Sequence, residues 1–372
     1  MRLTNRILCF FFSVLLSSVP VSAQPVSKNS PAGIRFEQLD SLVNALWISD
    51  NVHARRYALQ AYSLSLQTGS LQKIIRAHYL RALTIQTTYS DSSYYLLNRA
   101  LTLSNTYRYG EEKAGIFYSL SSLYMTAGEM RSALNCLDSA TASAKRYHQA
   151  AILDRVYNSR GNVCLESSDS MGAIKMFQQA YRLGEEKQDY TIMGVARGNL
   201  AQFEKTPGDN AKGLHAAIYL LQQIKGNEDE IAQFYANLGM NESDPVKALA
   251  YYNQALTLGR KGGMPVTLIG TMNNMAYSLL ETNRADSAET CVKQAIDLAT
   301  RIDNHFWLAI LYDTYSDILT YRHRTAEAVV AMKSALAERA LDENRKSLIQ
   351  VRLLSAMMDT RDKEEALIKS SK

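Results

Sequence analysis

The chain has 372 residues, with 41 basic and 36 acidic side chains and a formal net charge of +5. So small a positive excess excludes a nucleic-acid-binding protein unless the charge clusters on one face, and the charge runs Glu228-Asp229-Glu230 and Arg322-His323-Arg324 lie in different segments that read as solvated loops. The four cysteines are too few for a disulfide-stapled scaffold.

The N-terminus has the pattern of a secretory signal peptide. Two arginines precede an apolar run over residues 7–16, and Val21-Ser22-Ala23 offers small residues before a cleavage point. An uncleaved anchor is the alternative, but the run is shorter than the roughly 20 residues that a spanning helix needs. We therefore predict a signal peptide over residues 1–23, and no stable membrane insertion of the mature chain. Cleavage removes two arginines and no acidic residue, which lowers the net charge from +5 to +3.

Residues 24–36 are polar, contain two prolines and are predicted to be a flexible leader. No proline occurs between Ala32 and Lys205, which favours continuous helices, because proline removes a hydrogen-bond donor and clashes in a helix interior. The later prolines fall between periodic segments and act as breaks.

A small residue followed seven positions later by alanine or leucine recurs along the chain in steps of 40 residues, with one step of 35. The pairs are Ser93/Ala100, Ala133/Ala140, Ala173/Ala180, Gly213/Leu220, Ala248/Ala255, Ala288/Ala295 and Ala328/Ala335. Apolar residues around them recur at helical spacing, and a second helix precedes each. The pattern predicts an all-α solenoid of antiparallel helix pairs over residues 37–340, followed by a charged helix over residues 341–372.

The preceding helix of each pair has its own small residue, about twelve positions before the first member. These residues are Ser121, Gly161, Ala201, Ala236, Ala276 and Ser316. Two helices joined by a short turn approach closely only where side chains are small, so we expect these positions to lie at the contact between the paired helices.

In this register the chain resembles the tetratricopeptide repeat family. The copy beginning at Ala114 carries the family pattern in Phe117, Leu120, Ser121, Tyr124, Gly128, Ala133, Leu137 and Ala140. The next copy matches as well, although Ser168 replaces the turn glycine. The copy over residues 194–228 is degenerate, and we expect the superhelix to bend or open there. Residues 37–67 look like a partial or capping unit.

The 40-residue copies are similar to those of exported and membrane-sensor proteins of the Bacteroidetes, which implies a periplasmic location. The charged C-terminal helix looks like the segment that leads into the membrane in those sensors, although no spanning segment follows it here. The resemblance therefore leaves two functions open: an exported scaffold, or the periplasmic sensor module of a signalling system.

No constellation of residues indicates catalysis. No two histidines have the spacing that builds a metal site on a helix, and there is no glycine-rich phosphate loop and no nucleophile elbow. We therefore expect no enzymatic activity, no metal and no cofactor. Cys136 and Cys164 fall on facing helices of neighbouring copies, so either one disulfide or two buried thiols would fit the register.

The family resemblance implies that the first helix of each copy lines a concave groove. Its groove-facing positions carry mostly amide and acidic side chains here, namely Asn158, Asn162, Asn199, Gln202, Gln233, Asn237, Asn273, Tyr277, Asp313 and Asp317. An amide both donates and accepts hydrogen bonds, so such residues suit the main chain of an extended protein or peptide partner. Hydrogen bonding between neighbouring repeats is an equally open interpretation. A homodimer through the terminal helices also stays open.

Overall fold

The computed structural model describes residues 31–47 and 50–370, and all regular structure in these ranges is helical. The helices are α1 (Pro31–Leu46), α2 (Asn51–Thr68), α3 (Leu71–Ile85), α4 (Ser90–Thr106), α5 (Lys113–Thr126), α6 (Met130–Arg146), α7 (Ala150–Glu166), α8 (Ser170–Lys187), α9 (Tyr190–Ala201), α10 (Pro207–Leu221), α11 (Glu228–Asn241), α12 (Pro245–Gly262), α13 (Pro265–Glu281), α14 (Ala285–Arg301), α15 (His305–Tyr321) and α16 (Thr325–Ser370).

Each odd-numbered helix packs on the even-numbered helix that follows it, and the pairs stack in chain order. The prediction of an all-α solenoid of helix pairs is thereby confirmed. The signal-peptide prediction lies outside the described residues, as does the leader up to residue 30. Residues 31–36 of the predicted leader belong to α1, where Phe36 is fully buried against Ala58 and Leu80 in one apolar cluster.

The small residues lie where the paired helices meet. A Cβ atom added to Gly161 would lie 2.4 Å from a ring carbon of Phe177, so α7 and α8 can be this close only because that side chain is absent. Of the six predicted positions, five are buried, and Ala236 is half-buried. In that pair the closest approach is at Gly239, where an added Cβ would lie 2.6 Å from Tyr252.

Four of the turns within helix pairs share one backbone conformation, with or without glycine. Gly128 in the α5–α6 turn has φ +79°, and Ser168, Asn283 and His323 have φ of 60°, 57° and 59° at the equivalent turns. Only glycine adopts this left-handed region without a steric penalty. The packing of the paired helices therefore sets the turn shape even where the sequence supplies a less suitable residue.

The Arg322-His323-Arg324 run is not the free solvated loop that the charge pattern indicates. Glu289 of α14 is buried and accepts hydrogen bonds from Arg322 at 2.6 Å, from Arg324 at 2.9 Å and from Lys293 at 2.8 Å. Burial alone would raise the pKa of Glu289, but the hydrogen bonds from Lys293 and Arg324 outweigh it and lower the pKa to about 2. The two arginines thus fasten the α15–α16 turn to α14.

The predicted boundary between the array and a separate charged helix is absent. α16 is a single helix of 46 residues, which at 1.5 Å per residue is about 69 Å long. The sequence from Thr325 to Ser370 contains neither glycine nor proline, so nothing in it ends the helix at residue 340. Beyond the last pair α16 reaches α4, near the other end of the array.

Candidate protein-binding groove

The odd-numbered helices form the inner layer of the solenoid. α1 packs on α3, α3 on α5, α5 on α7, α11 on α13 and α13 on α15, in addition to the contacts between sequence neighbours. Even-numbered helices, α16 apart, contact mainly the helices before and after them. Helices that touch across pairs lie on the short side of a curved stack, so the odd-numbered helices line its concave face.

The inner layer is uneven around α9. This helix has 12 residues, the fewest of the helices within the described ranges, and its backbone contacts α7 and α11 less than the other inner helices contact one another. The space between α9 and α11 is filled by the Phe234 ring, which would lie 2.1 Å from a Cβ added to Gly198. α9 and α10 lie in the degenerate copy, where we expect the superhelix to bend or open.

At the N-terminal end, the inner helices are joined by a half-buried ion network. Arg76 of α3 donates to Asp40 of α1 at 2.8 Å and to Glu112, which immediately precedes α5, at 2.9 Å. Burial raises the pKa of Glu112. For Arg76, burial disfavours the charged form, but the attraction of Glu112 and Asp40 prevails and raises its pKa. This network fixes three inner helices and offers no free charge to a partner.

At the C-terminal end, the residues that the resemblance places in the groove are hydrogen-bonded to other residues of the array. Asn273 is only 7% exposed and accepts a hydrogen bond from Thr314 at 2.8 Å. Tyr277 donates to Asp317 at 3.1 Å, and Arg339 of α16 donates to Asp313 at 2.7 Å. Here the interpretation as inter-repeat contacts fits better than partner binding.

The middle of the groove presents exposed amides. Asn162 of α7, Gln202 directly after α9 and Asn237 of α11 are exposed on three successive inner segments. In the described part of the chain, Asn162 and Asn237 make no side-chain hydrogen bond, and Gln202 donates to the carbonyl of Asn199 at 2.8 Å.

The remaining predicted residues contact the neighbouring repeat. Asn199 donates to Asn158 at 3.4 Å, and Gln233 donates weakly to Thr267 at 3.5 Å. The sequence analysis did not single out Met240, which is 60% exposed one turn after Asn237 on the same face of α11. The helical spacing from Asn237 was the signal that could have found it.

Chemistry other than binding has little support in this groove. Within residues 31–47 and 50–370, no group of three or more histidine, cysteine or acidic side chains is arranged to hold a metal ion. Cys136, Cys164 and Cys291 are free thiols, and burial raises the pKa of Cys136 and Cys291 to about 11, which disfavours the nucleophilic thiolate. No helix within the same ranges is long and apolar enough to span a membrane.

Comparisons with known proteins agree with this architecture. Residues 267–337 match the family model described as tetratricopeptide repeat. No curated protein matches the sequence significantly.

Solved structures share the fold at low sequence identity. Yeast Tom70 has a TM-score of 0.56 at 14% identity, over 94% of this chain and 69% of that one. A Rap protein complexed with competence and sporulation factor has a TM-score of 0.54 at 13% identity, over 89% and 98% of the two chains. NprR in complex with its cognate peptide NprX has a TM-score of 0.51 at 15% identity, over 88% and 98%. Residues 267–337 therefore match the tetratricopeptide repeat, and the stacked helix pairs of the described ranges share the fold of these solved structures.

Proposed function

We propose that the protein is a non-enzymatic scaffold that binds a protein or peptide in the middle of its concave groove. The observation that carries this proposal is the set of exposed amides Asn162, Gln202 and Asn237 beside the loosely packed helix α9. Each amide can donate and accept, so the set suits the main chain of an extended segment regardless of its sequence. Met240 adds an adaptable apolar contact on the same face.

The solved structures support binding of this kind. The Rap protein was crystallised with competence and sporulation factor, and NprR with the peptide NprX. The similarity covers 98% of the Rap chain and 98% of the NprR chain. Their peptide ligands are the reason why we give a peptide or an extended protein segment as the partner of this chain.

The test is affinity capture with the mature protein from its native compartment, followed by identification of the bound chains and measurement of their affinity. The groove variant combines Asn162→Ala, Gln202→Ala and Asn237→Ala. Loss of three amide contacts of about 1 kcal/mol each should weaken binding on the order of 100-fold.

The matched control removes three exposed amides from outer helices, Asn135→Ala on α6, Gln178→Ala on α8 and Asn253→Ala on α12. It should bind as the wild type does. Equal affinity of the groove variant and the wild type, with both folded by circular dichroism, would show that the groove is not the binding surface.

Export belongs to the same proposal. Its support is the charged and apolar pattern of residues 1–23 and the small residues before Gln24. N-terminal sequencing of the protein from the periplasmic fraction should begin at Gln24. A chain that starts at Met1 and stays with the membrane fraction would favour the uncleaved anchor.

A periplasmic sensor module is the second candidate function. The observation in its favour is that α16 ties the last helix pair to α4, so a change of curvature anywhere in the array strains one contact between its ends. Small-angle scattering of the purified protein should then change when the captured partner is added. An unchanged profile with bound partner would favour the passive scaffold.

A further inference from the structure

The far end of α16 is docked on the early part of the array. We call residues 353–361 the tip and residues 341–352 the arm. Leu353 is 0% exposed and Ala356 is 3% exposed, in one apolar cluster with Tyr94 and Leu97 of α4. At the rim of this contact, Tyr95 donates a hydrogen bond to Asp359 at 3.2 Å. The tip therefore joins the eighth helix pair to the second.

The arm that carries the tip has little support of its own. Leu348 is 52% exposed and Val351 is 63% exposed. Its contacts with the array are Arg345 with Asp303 at 3.1 Å and Lys346 over the Phe306 ring, all near the α14–α15 turn. Exposed ion pairs of this kind contribute little to stability. The arm therefore contributes little to holding the tip in place once the tip's own contact is lost.

The tip contact is also small and imperfectly filled. A cleft of about 390 Å³ remains between the tip and the α4–α6 region, with Tyr124 and Glu129 on one side and Met357 on the other. The tip buries Leu353 and Ala356 and packs the half-buried Leu354 and Met357 against the same cluster. This contact is smaller than the contact within any helix pair, so it opens at a lower free-energy cost than the pairs themselves.

We propose that the tip is a detachable latch that sets the curvature of the superhelix, with the loosely packed α9 as the hinge. While the latch is closed, the second and eighth pairs are held at a fixed separation. When the tip leaves α4, the two halves of the inner layer separate at α9, where packing between inner helices is weakest. This inference deepens the proposed function, since α9 is also where the partner would bind: a partner that favours the wider groove opens the latch, and an open latch favours that partner.

The test compares Leu353→Ala with the matched control Leu348→Ala in the mature full-length chain. Both substitutions truncate a leucine of α16, and they lie five residues apart. Trypsin cleavage after Arg345, Lys346 and Arg352 measures how often the arm is free, because cleavage follows the population of the open form. Removing the buried Leu353 side chain should speed this cleavage by about 30-fold or more. Leu348→Ala removes a half-exposed side chain that takes no part in the tip contact and should cleave at the wild-type rate. Small-angle scattering should show a larger radius of gyration for Leu353→Ala alone.

Asp359→Ala is a second variant that cannot disturb the core, because Asp359 is exposed. It removes the hydrogen bond from Tyr95 and should accelerate cleavage in the same direction by a few-fold. If Leu353→Ala and Asp359→Ala both match the wild type in cleavage rate and radius of gyration, the latch does not exist. If Leu353→Ala instead lowers the stability of every helix pair equally by hydrogen exchange, the tip is an ordinary part of the core and the proposal is wrong.

Failure of the latch and failure of the proposed function give different results. The cleavage assay needs no partner, so it reads the latch even if the groove binds nothing. The variant with Asn162, Gln202 and Asn237 replaced by alanine should show wild-type cleavage of the arm in the absence of partner. If Leu353→Ala speeds cleavage of the arm but no partner is captured, only the proposed binding groove is rejected. If a partner is captured but neither Leu353→Ala nor Asp359→Ala changes the cleavage of the arm, only the latch is rejected.

Discussion

At the scale of single residues, Ser168 shows a mismatch between residue type and backbone conformation. Ser168 is exposed and has a left-handed φ of 60° in the α7–α8 turn. Gly128 occupies the equivalent position in the α5–α6 turn, one repeat earlier. We expect Ser168→Gly to raise the free energy of unfolding by about 1 kcal/mol, because glycine adopts this conformation without the steric penalty.

The neighbouring Ser167 provides the control for that substitution. Its φ is −87°, where glycine gains nothing and loses more entropy on folding. Ser167→Gly should therefore be neutral or destabilising in urea denaturation. A destabilised Ser168→Gly variant would show that the serine side chain, rather than the backbone conformation, decides this turn.

Glu289 makes part of the stability depend on pH. Its pKa in the folded protein is about 2, below the ordinary value of 4.5. The stabilisation is therefore complete above the ordinary pKa and is lost as the pH falls from about 5 towards 2. Glu289→Gln should cost on the order of 2 kcal/mol at pH 7 and about a quarter of that at pH 2.5, where part of the folded protein still carries the ionised carboxylate.

Urea denaturation at a series of pH values measures this difference. The variant Glu343→Gln changes an exposed glutamate on α16 and should follow the wild-type curve throughout. A constant cost for Glu289→Gln from pH 7 to pH 2.5 would mean that the lost contact is not one made by the ionised carboxylate.

At the scale of helices, the register makes a sharp prediction at Gly161. A leucine there meets the Phe177 ring within the closely packed α7–α8 pair, so Gly161→Leu should destabilise the protein by about 1–3 kcal/mol through overpacking. Gly208 near the start of α10 has only the Thr206 hydroxyl nearby, at 3.9 Å from an added Cβ. Gly208→Leu should leave the melting temperature nearly unchanged, and equal melting temperatures of the two variants would reject the register.

The helices show what sequence patterns can and cannot predict. Periodic small residues reflect local packing between sequence neighbours, so they located the helix pairs and the buried positions such as Gly161 and Ala276. In α11 the pattern pointed to Ala236 as the small residue facing α12. The Tyr252 ring of α12 instead packs against Gly239, one turn later. How firmly a groove amide is held by the neighbouring repeat was equally hidden. Asn273 and Asn158 occupy equivalent positions, but the next inner helix offers the Thr314 hydroxyl at 2.8 Å to the first and the Asn199 amide at 3.4 Å to the second.

At the scale of the whole molecule, the uneven inner layer predicts uneven local stability. Amide hydrogens of α9 and α10 should exchange faster than those of α5–α6 and α13–α14, because α9 is short and contacts the neighbouring inner helices less than the others do. Hydrogen exchange followed by mass spectrometry resolves these segments. Equal protection along the array would show that α9 is not a weak point and would remove the hinge from the proposed opening.

The docking of α16 on α4 could not have been predicted from periodicity, because its partners are 264 residues apart at Tyr95 and Asp359. It has a consequence for how the chain folds. Repeat arrays form from local contacts and fold outwards from any pair, whereas this contact must close a very long loop first. The entropic cost of closing such a loop grows only slowly with its length, so the contact can still form. It forms last, because the helix pairs between α4 and α16 must be in place first. As the chain is synthesised, the apolar surface of α4 around Tyr94 and Leu97 stays uncovered until residues 353–361 have been made and have reached it.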